Sequence, residues 1–381
     1  MVSLKTMELP FRNKKVALVH DWITGYRGGE KVLSEIAALL PGAPIYTLVH
    51  KKGSSSPDLE ARKIHTSFID KIPMAQKNYR HYLPLFPMAA ETLLPRGFDV
   101  VISTSHAVAK SINTHGAAHW CYIHSPMRYV WDRFDDYFGK DIVGTAASSL
   151  FFKPITKALS LYDRRTADRV DQYVANSTFI AERVRAYYAR DSEVICPPVQ
   201  VKRFESIKRN PKDFYLFFSA LVPYKRADHA ILACKQLGRK LVVIGGGPEK
   251  QRLQNLARGT QTEFKDSLSD DKVNEYLSQA RAMIFPAIED FGMVLVEATA
   301  AGLPVVGLGV GGLLDSQTRD TSVTYPHQTV DSLAQAILEF EKREGTFDRE
   351  KMLLQARKFT PEIFRAKVRE SLLRFEQTSF K

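Results

Sequence analysis

The chain has no uninterrupted apolar stretch approaching the ~18 residues that cross a bilayer, and Met1 to Lys15 carries no sustained hydrophobic segment of the kind that directs secretion. It therefore reads as neither secreted nor transmembrane. Cysteine is scarce. Cys121, Cys196 and Cys234 are scattered, odd in number and without metal spacing, which excludes a disulfide framework and fits three free thiols in a reducing compartment. Internal repeats and low-complexity tracts are missing, and only Gly53 to Pro57 reads as a flexible loop. No Asp-x-Asp pair stands at a strand end to hold a metal ion, and Asp135-Asp136 reads as a solvated loop, so no metal site is expected.

What is present is ample apolar content, 44% of 381 residues, enough for two cores in two domains. Formal charge is +12, which favours anionic partners: nucleotide phosphates, a lipid surface or nucleic acid. The basic residues are spread along the chain without a zinc-finger or RRM signature, so a nucleic-acid binder is the weaker reading.

Short apolar runs alternate with helical patterns, which implies parallel sheets covered by helices on both faces. The first set of strands is Lys15 to His20, Pro44 to Val49, Asp99 to Ser103, His119 to Ile123, Asp171 to Ala175 and Glu193 to Cys196. Pro197-Pro198 and the polar, basic Val201 to Pro211 break the pattern and read as a linker. A second alternation follows, with strands at Phe214 to Phe218, Lys240 to Ile244, Ala282 to Phe285 and Pro304 to Leu308. The expected domains are 1–200, 201–360 and a last amphipathic helix in 361–381, free to pack across both.

One stretch organises the rest. Glu289-Asp-Phe-Gly-Met-Val-Leu-Val-Glu297 reads as strand end, turn and helix, with the amides of Gly292, Met293 and Val294 opening the helix as an anion site. Glu289 precedes that helix and Glu297 is expected about two turns into it, so two carboxylates flank one phosphate position at different depths, suited to two sets of hydroxyls. That is how a nucleotide sugar is held. After the first strand, Gly28 and Gly29 open an amphipathic helix and let loop amides approach a phosphate; their spacing is not G-x-G-x-x-G, so a nicotinamide cofactor is not indicated.

Over nearly its whole length the chain resembles the retaining glycosyltransferases of family 4, close to bacterial mannosyltransferase-like members of polysaccharide pathways. The resemblance is carried by His20-Asp-Trp-Ile-Thr-Gly25, Arg27 to Lys31, Ser103-Thr-Ser-His-Ala-Val-Ala-Lys110, Cys121 to Tyr129 with Trp131-Asp132, Val174 to Ser177, Pro223-Tyr-Lys-Arg226, Gly245-Gly-Gly-Pro248 and Glu289 to Glu297. It implies a GT-B fold: two Rossmann-like domains facing across a cleft, the first for the acceptor and the second for the donor, with the last helix crossing back to the first domain.

The resemblance also implies roles. Lys225 meets the donor diphosphate and stabilises the leaving charge, with Arg226 sharing the task. Glu297 takes the ribose hydroxyls and Glu289 the transferred sugar, with backbone contacts from Phe291, Gly292, Met293 and Val294. Gly246 and Gly247 border the donor. His124 reaches the sugar from the first domain, where Asn176, Gly28 and Gly29 are further donor candidates. His106, Arg128 and Trp131 shape the acceptor side. Two departures stand out: Ala220 where the family usually has a second diphosphate-binding arginine, and Gly246 where its glycine motif commonly has an acid. Losing the arginine weakens charge stabilisation unless Arg226 or a first-domain basic group compensates.

The implied activity is transfer of a hexose, with retention and without a metal or other cofactor. The donor is expected to be GDP-mannose, with a UDP sugar as the other choice, and the acceptor a glycan or polyprenyl-diphosphate-linked oligosaccharide. Hinge closure of the domains is expected on donor binding. A sugar-nucleotide epimerase or phosphorylase on the same plan is the alternative. The expected location is cytoplasmic, at the inner face of the plasma membrane. A basic, aromatic stretch from Arg62 to Arg96 suits an anionic bilayer there; the competing reading packs its aromatics inward beneath a basic rim.

Overall fold

The computed structural model describes residues 9–132, 134, 152–266 and 268–380; Asp135 and Asp136 lie outside the described residues. The chain folds as two units, residues 1–198 with 361–381, and residues 199–360.

The first unit is built on a seven-stranded sheet ordered β3-β2-β1-β4-β5-β6-β7, every pair parallel. Its strands are β1 (Val16–Ile23), β2 (Ile45–His50), β3 (Ile64–Thr66), β4 (Val100–Ser105), β5 (Ala118–Ile123), β6 (Gln172–Ala175) and β7 (Ser192–Val194). β1 is buried at all but two positions because a central parallel strand is covered on both faces. Helix α1 (Gly28–Ala38) buries Val32, Leu33, Ile36 and Ala37, the i, i+3, i+4 stripe of a core-facing helix. α2 (Lys153–Arg165) and α3 (Thr178–Tyr188) also belong to this unit.

The second unit repeats the plan with a six-stranded parallel sheet ordered β10-β9-β8-β11-β12-β13. Its strands are β8 (Tyr215–Phe218), β9 (Leu241–Ile244), β10 (Thr262–Lys265), β11 (Met283–Phe285), β12 (Val305–Leu308) and β13 (Ser322–Tyr325). Helices α4 (Ala227–Leu237), α5 (Met293–Ala300) and α6 (Val330–Arg343) flank it. The last helix, α7 (Pro361–Ser379), returns to the first unit, where Phe364, Val368, Leu372 and Phe375 join the core beside Leu18, Trp120 and Tyr122. Ser371 Oγ accepts from Trp120 Nε1 at 3.2 Å, and Phe11 N donates to Glu376 Oε2 at 2.9 Å.

Three details differ from the sequence reading. The division between units falls at Pro198/Val199, and the segment read as linker is folded into the second unit: Val201 and Phe204 are buried, and the Arg209 guanidinium donates to the carbonyls of Leu277, Ser278 and Ala280. Glu297 is the fifth residue of α5, about one turn from its start rather than two. In the Arg62 to Arg96 stretch Ile69, Tyr79, Leu83 and Phe86 are core, with Tyr79 4.7 Å from the Trp22 ring. The inward-packing reading therefore accounts for most of its large apolar side chains, and Met74 and Met88 are the large exposed ones. No helix among the described residues is long and apolar enough to cross a membrane.

Candidate functional site

Both sheets reverse strand order at one point, between β1 and β4 and between β8 and β11, and in open parallel sheets ligands bind beyond the strand ends at such a point. The motif residues gather at these two places.

In the second unit, the loop leaving β8 carries Lys225 and the loop leaving β11 carries Glu289, and the two side chains form an ion pair, each about one-eighth exposed. The loop holding Lys225 leans on the glycine turn after β9. Leu221 N donates to Gly246 O at 2.9 Å, while Gly245 (φ 147) and Gly247 (φ 156) adopt a backbone that L side chains rarely take. A Cβ at Gly247 would stand 2.2 Å from Leu221 O, so this glycine serves loop-against-loop packing, whereas a Cβ at Gly246 would meet nothing within 4 Å. Of the two glycines expected to border the donor, Gly246 alone faces open space.

Gly292 (φ 81) makes the turn into α5, where a Cβ would come within 2.8 Å of Leu295 Cδ1. Phe291 puts its ring into the core against Phe359 (5.5 Å), leaving its backbone as its only offer to a ligand; Met293, Val294 and Glu297 are half-buried on the first turns of the helix. A support missed by sequence reasoning is Gly311-Gly312 after β12. Gly312 N donates to Glu289 O at 2.8 Å, and a Cβ on Gly312 would lie 2.2 Å from Asp290 O, so the glycines let this loop brace the backbone that carries Glu289. The glycine run after β12 was the available signal.

Arg226, expected to share the diphosphate with Lys225, is engaged by Asp228 through a fork, Nε to Oδ1 and Nη2 to Oδ2 both at 3.0 Å, and by His229 Nε2. Ala220 is exposed and offers no cation.

In the first unit, His20 on β1, His106 after β4 and His124 after β5 lie together, with ring centroids 5.9 Å (His20 and His106) and 6.1 Å (His106 and His124) apart. Asp21, a residue quoted in the sequence only as part of a motif, organises them. Its buried carboxylate accepts four backbone N–H bonds, from His106, Ala107, Val108 and Ala109, at 2.6 to 2.9 Å, and lies 3.3 Å from His106 Nδ1. Gly29 meets the cluster at the start of α1: a Cβ there would sit 3.4 Å from His20 Cε1 and 3.9 Å from His124 Nε2. Gly28 is the first residue of that helix.

Burial, reinforced by the neighbouring His106, holds His20 down to about 4, and burial followed by His106, His20 and Arg128 holds His124 well below the ordinary histidine value. Both rings are therefore neutral at pH 7. His124 Nε2 is buried without a hydrogen-bond partner among the described residues, and a neutral imidazole nitrogen suits a hydroxyl group.

Asn176 does not reach outward. Its Nδ2 donates to His124 O at 3.0 Å and its Oδ1 accepts from Ser177 Oγ, so it positions His124 instead of presenting an amide to a donor. Arg128 Nε is 3.4 Å from Ser125 Oγ. Trp131 is likewise committed: its Nε1 donates to Asp163 Oδ2 at 2.7 Å and its ring stacks on Tyr187 at 4.6 Å. Asp163 also pairs with buried Lys110 at 2.9 Å, the terminal residue of the Ser103 to Lys110 motif, which explains that lysine as structural.

Two family patterns match this chain consecutively: the one described as Glycosyltransferase Family 4 over residues 26–203, and the one described as Glycosyl transferases group 1 over 199–359. The chain belongs to glycosyltransferase family 4. A curated relative, the GDP-mannose-dependent alpha-(1-6)-phosphatidylinositol monomannoside mannosyltransferase of Mycobacterium tuberculosis, is 27% identical over 207 residues, 46% of this chain and 54% of that protein. The D-inositol 3-phosphate glycosyltransferase of Mycobacteroides abscessus is 26% identical over 208 residues, 48% of this chain and 47% of that protein. The family 4 chain thus spans about half the length of the curated relatives it matches. Among solved structures, sucrose-phosphate synthase from Thermosynechococcus elongatus superposes with a TM-score of 0.69 at 14% identity, covering 95% of this chain and all (100%) of that one. Anabaena HepE in complex with UDP gives 0.65 at 14% identity, covering 94% and 99%. These likenesses show the shared GT-B fold.

Proposed function

We propose that this family 4 protein is a retaining hexosyltransferase that moves a sugar from a nucleoside-diphosphate donor to a glycan or lipid-linked oligosaccharide acceptor. The observation that carries this reading is the second sheet's reversal point, where Lys225 and Glu289 from adjacent non-consecutive strands are brought into contact beside the start of α5, one turn ahead of Glu297. In this assignment Lys225 meets the diphosphate, Glu297 the ribose, and Glu289 the transferred sugar; neutral His124 is assigned to a substrate hydroxyl. The protein positions the reactants and stabilises charge on the departing nucleotide, whose own phosphate oxygen accepts the proton of the attacking hydroxyl; the bond broken is C1–O to the diphosphate and the bond formed is C1–O to the acceptor on the same face. Cationic side chains supply the charge stabilisation, so the reaction is proposed to need no added metal.

GDP-mannose is the proposed donor, supported by the GDP-mannose dependence of the mycobacterial relative; the UDP complex of the Anabaena neighbour makes a UDP sugar the one to set against it. A thermal-shift comparison tests the reading, because a ligand that binds only the folded state raises its stability, by about 2.7 kcal/mol at a hundred times its dissociation constant. GDP-mannose and GDP are expected to raise the melting temperature more than UDP-glucose and UDP. A response to UDP compounds alone would replace the base, and no response to any nucleotide sugar would overturn the function.

A further inference from the structure

We propose that Arg226 is the second cation for the donor's diphosphate in this chain, with Asp228 and His229 as the residues that hold it in position. This rests on the nucleotide-sugar reading above and deepens the role expected of Arg226: it makes Arg226 the replacement for the cation missing at position 220 and gives Asp228 and His229, which the resemblance leaves without a role, the work of positioning it.

The backbone at Arg226 is the first observation. Its φ of 52 and ψ of 40 place it in the left-handed region, at the junction between Lys225 and α4. A non-glycine residue there costs about 1 kcal/mol, a cost that persists where the surroundings impose the conformation and that concentrates at binding sites. Glycine would turn this corner without strain, so an arginine here asks for a reason.

The side chain supplies one. Nε and Nη2 face Asp228, each 3.0 Å from a carboxylate oxygen, and Nη2 also contacts His229 Nε2. Burial pushes the Asp228 carboxyl up, yet the hydrogen bonds and charge of Arg226 bring it below its ordinary value, so the partner is ionised. Burial and then Arg226 hold His229 below the usual histidine range, which leaves a neutral ring whose Nε2 accepts a hydrogen bond from the guanidinium. The plane of the guanidinium is thereby fixed from two sides. Nη1 makes no hydrogen bond among the described residues, and the side chain is 34% exposed. An arginine anchored through one edge and open at the other is the arrangement that recognises phosphate oxygens with defined geometry.

The other residues of this loop leave the task to Arg226. Lys225 shares its charge with Glu289, and Ala220, on the same loop, is exposed and neutral. Arg226 extends from this loop beside Lys225, where it restores the charge absent at position 220.

Asp228 admits an opposite role, as a competitor that sequesters Arg226, and the sign of one substitution separates the two. Calorimetric titrations of the 381-residue chain with GDP, UDP, GMP and UMP should be run on the parent, Arg226→Gly, Asp228→Asn and the double variant Ala220→Arg/Arg226→Gly. For whichever diphosphate the parent binds, Arg226→Gly is expected to lose about tenfold in affinity, with a smaller loss for the monophosphate and a melting temperature that is unchanged or higher. Asp228→Asn is expected to weaken diphosphate binding a few-fold even though it removes a negative charge, and Ala220→Arg to recover much of the loss. Unchanged diphosphate affinity in Arg226→Gly, or tighter binding in Asp228→Asn, would overturn the proposal while leaving the nucleotide-sugar reading intact. A parent that binds neither GDP nor UDP would overturn that reading first, and this inference with it.

Discussion

Lys225→Ala is expected to weaken nucleoside-diphosphate binding by about a hundredfold or more, the larger end of what removing a charged hydrogen-bond partner produces. The size follows from the ion pair with Glu289. Deleting the lysine removes a cation from the diphosphate and also leaves the Glu289 carboxylate without that partner in a largely buried position, where it repels the incoming anion. Two further variants make the argument specific. Glu289→Ala alone is expected to spare binding of the bare nucleotide while reducing discrimination between nucleotide sugar and nucleotide. The double variant Lys225→Ala/Glu289→Ala is expected to bind the nucleotide more tightly than Lys225→Ala, because the repelling charge is gone. Glu297→Ala should cost about tenfold by removing one charged acceptor for ribose hydroxyls. Calorimetry on variants that keep the parent's circular dichroism reads all four; parent-like affinity in both Lys225→Ala and Glu297→Ala would remove the donor site from the place assigned to it.

Mild acid is expected to unfold the first unit well before the second. His20 is held at about 4 and His119 at about 3, both chiefly by burial, and His124 also lies well below its ordinary value. The neutral form of His119 is fully used, with one ring nitrogen 2.7 Å from Ser103 Oγ and the other 3.0 Å from Arg169 O. In the unfolded chain these rings take protons near pH 6.5, so between there and the folded values the unfolded state binds more protons and stability falls as pH falls. At pH 5 His20 and His119 each cost about 2 kcal/mol, together a large fraction of an ordinary domain's stability, and His124 adds to the loss. Asp21 and Glu30 work in the other direction, since burial pushes their carboxyls up, but the buried histidines outnumber them. All three tryptophans, Trp22, Trp120 and Trp131, lie in the first unit, so their fluorescence reports that unit alone. Urea titrations should show the fluorescence midpoint dropping steeply from pH 7 to pH 5, with a shallower slope in His119→Gln; a midpoint independent of pH over this range would contradict the neutral buried histidines.

The fold was legible where the chain is most strongly patterned. Long apolar runs such as Val16–Ile23 and Val100–Ser105 announce central parallel strands because both their faces are covered. The edge strands Ile64–Thr66, Thr262–Lys265 and Ser322–Tyr325 were not recognised, since a strand covered on fewer sides needs few apolar residues: Glu263, Lys265 and Thr324 are polar, and Glu263 and Thr324 are exposed. At the site, local grammar carried far. The acids and glycine around α5 could be read because strand, turn and helix follow each other within a few residues. Hidden from that grammar were bonds between distant segments. Asp21 collects amides 85 to 88 residues away, and Asn176 spends its amide on a carbonyl 52 residues earlier. The sequence therefore overstated Asn176 and Gly247 as donor contacts and understated Asp21, Gly312 and Asp228, whose work is to hold other groups in place.

The most direct test of the account is the anomeric configuration of the transferred sugar. Purified protein incubated with the nucleotide sugar that stabilises it, an oligosaccharide acceptor and EDTA should release nucleoside diphosphate and form a glycoside, and NMR of that product should show the sugar in the configuration it had in the donor. An inverted linkage, or transfer abolished by the chelator, would contradict the mechanism.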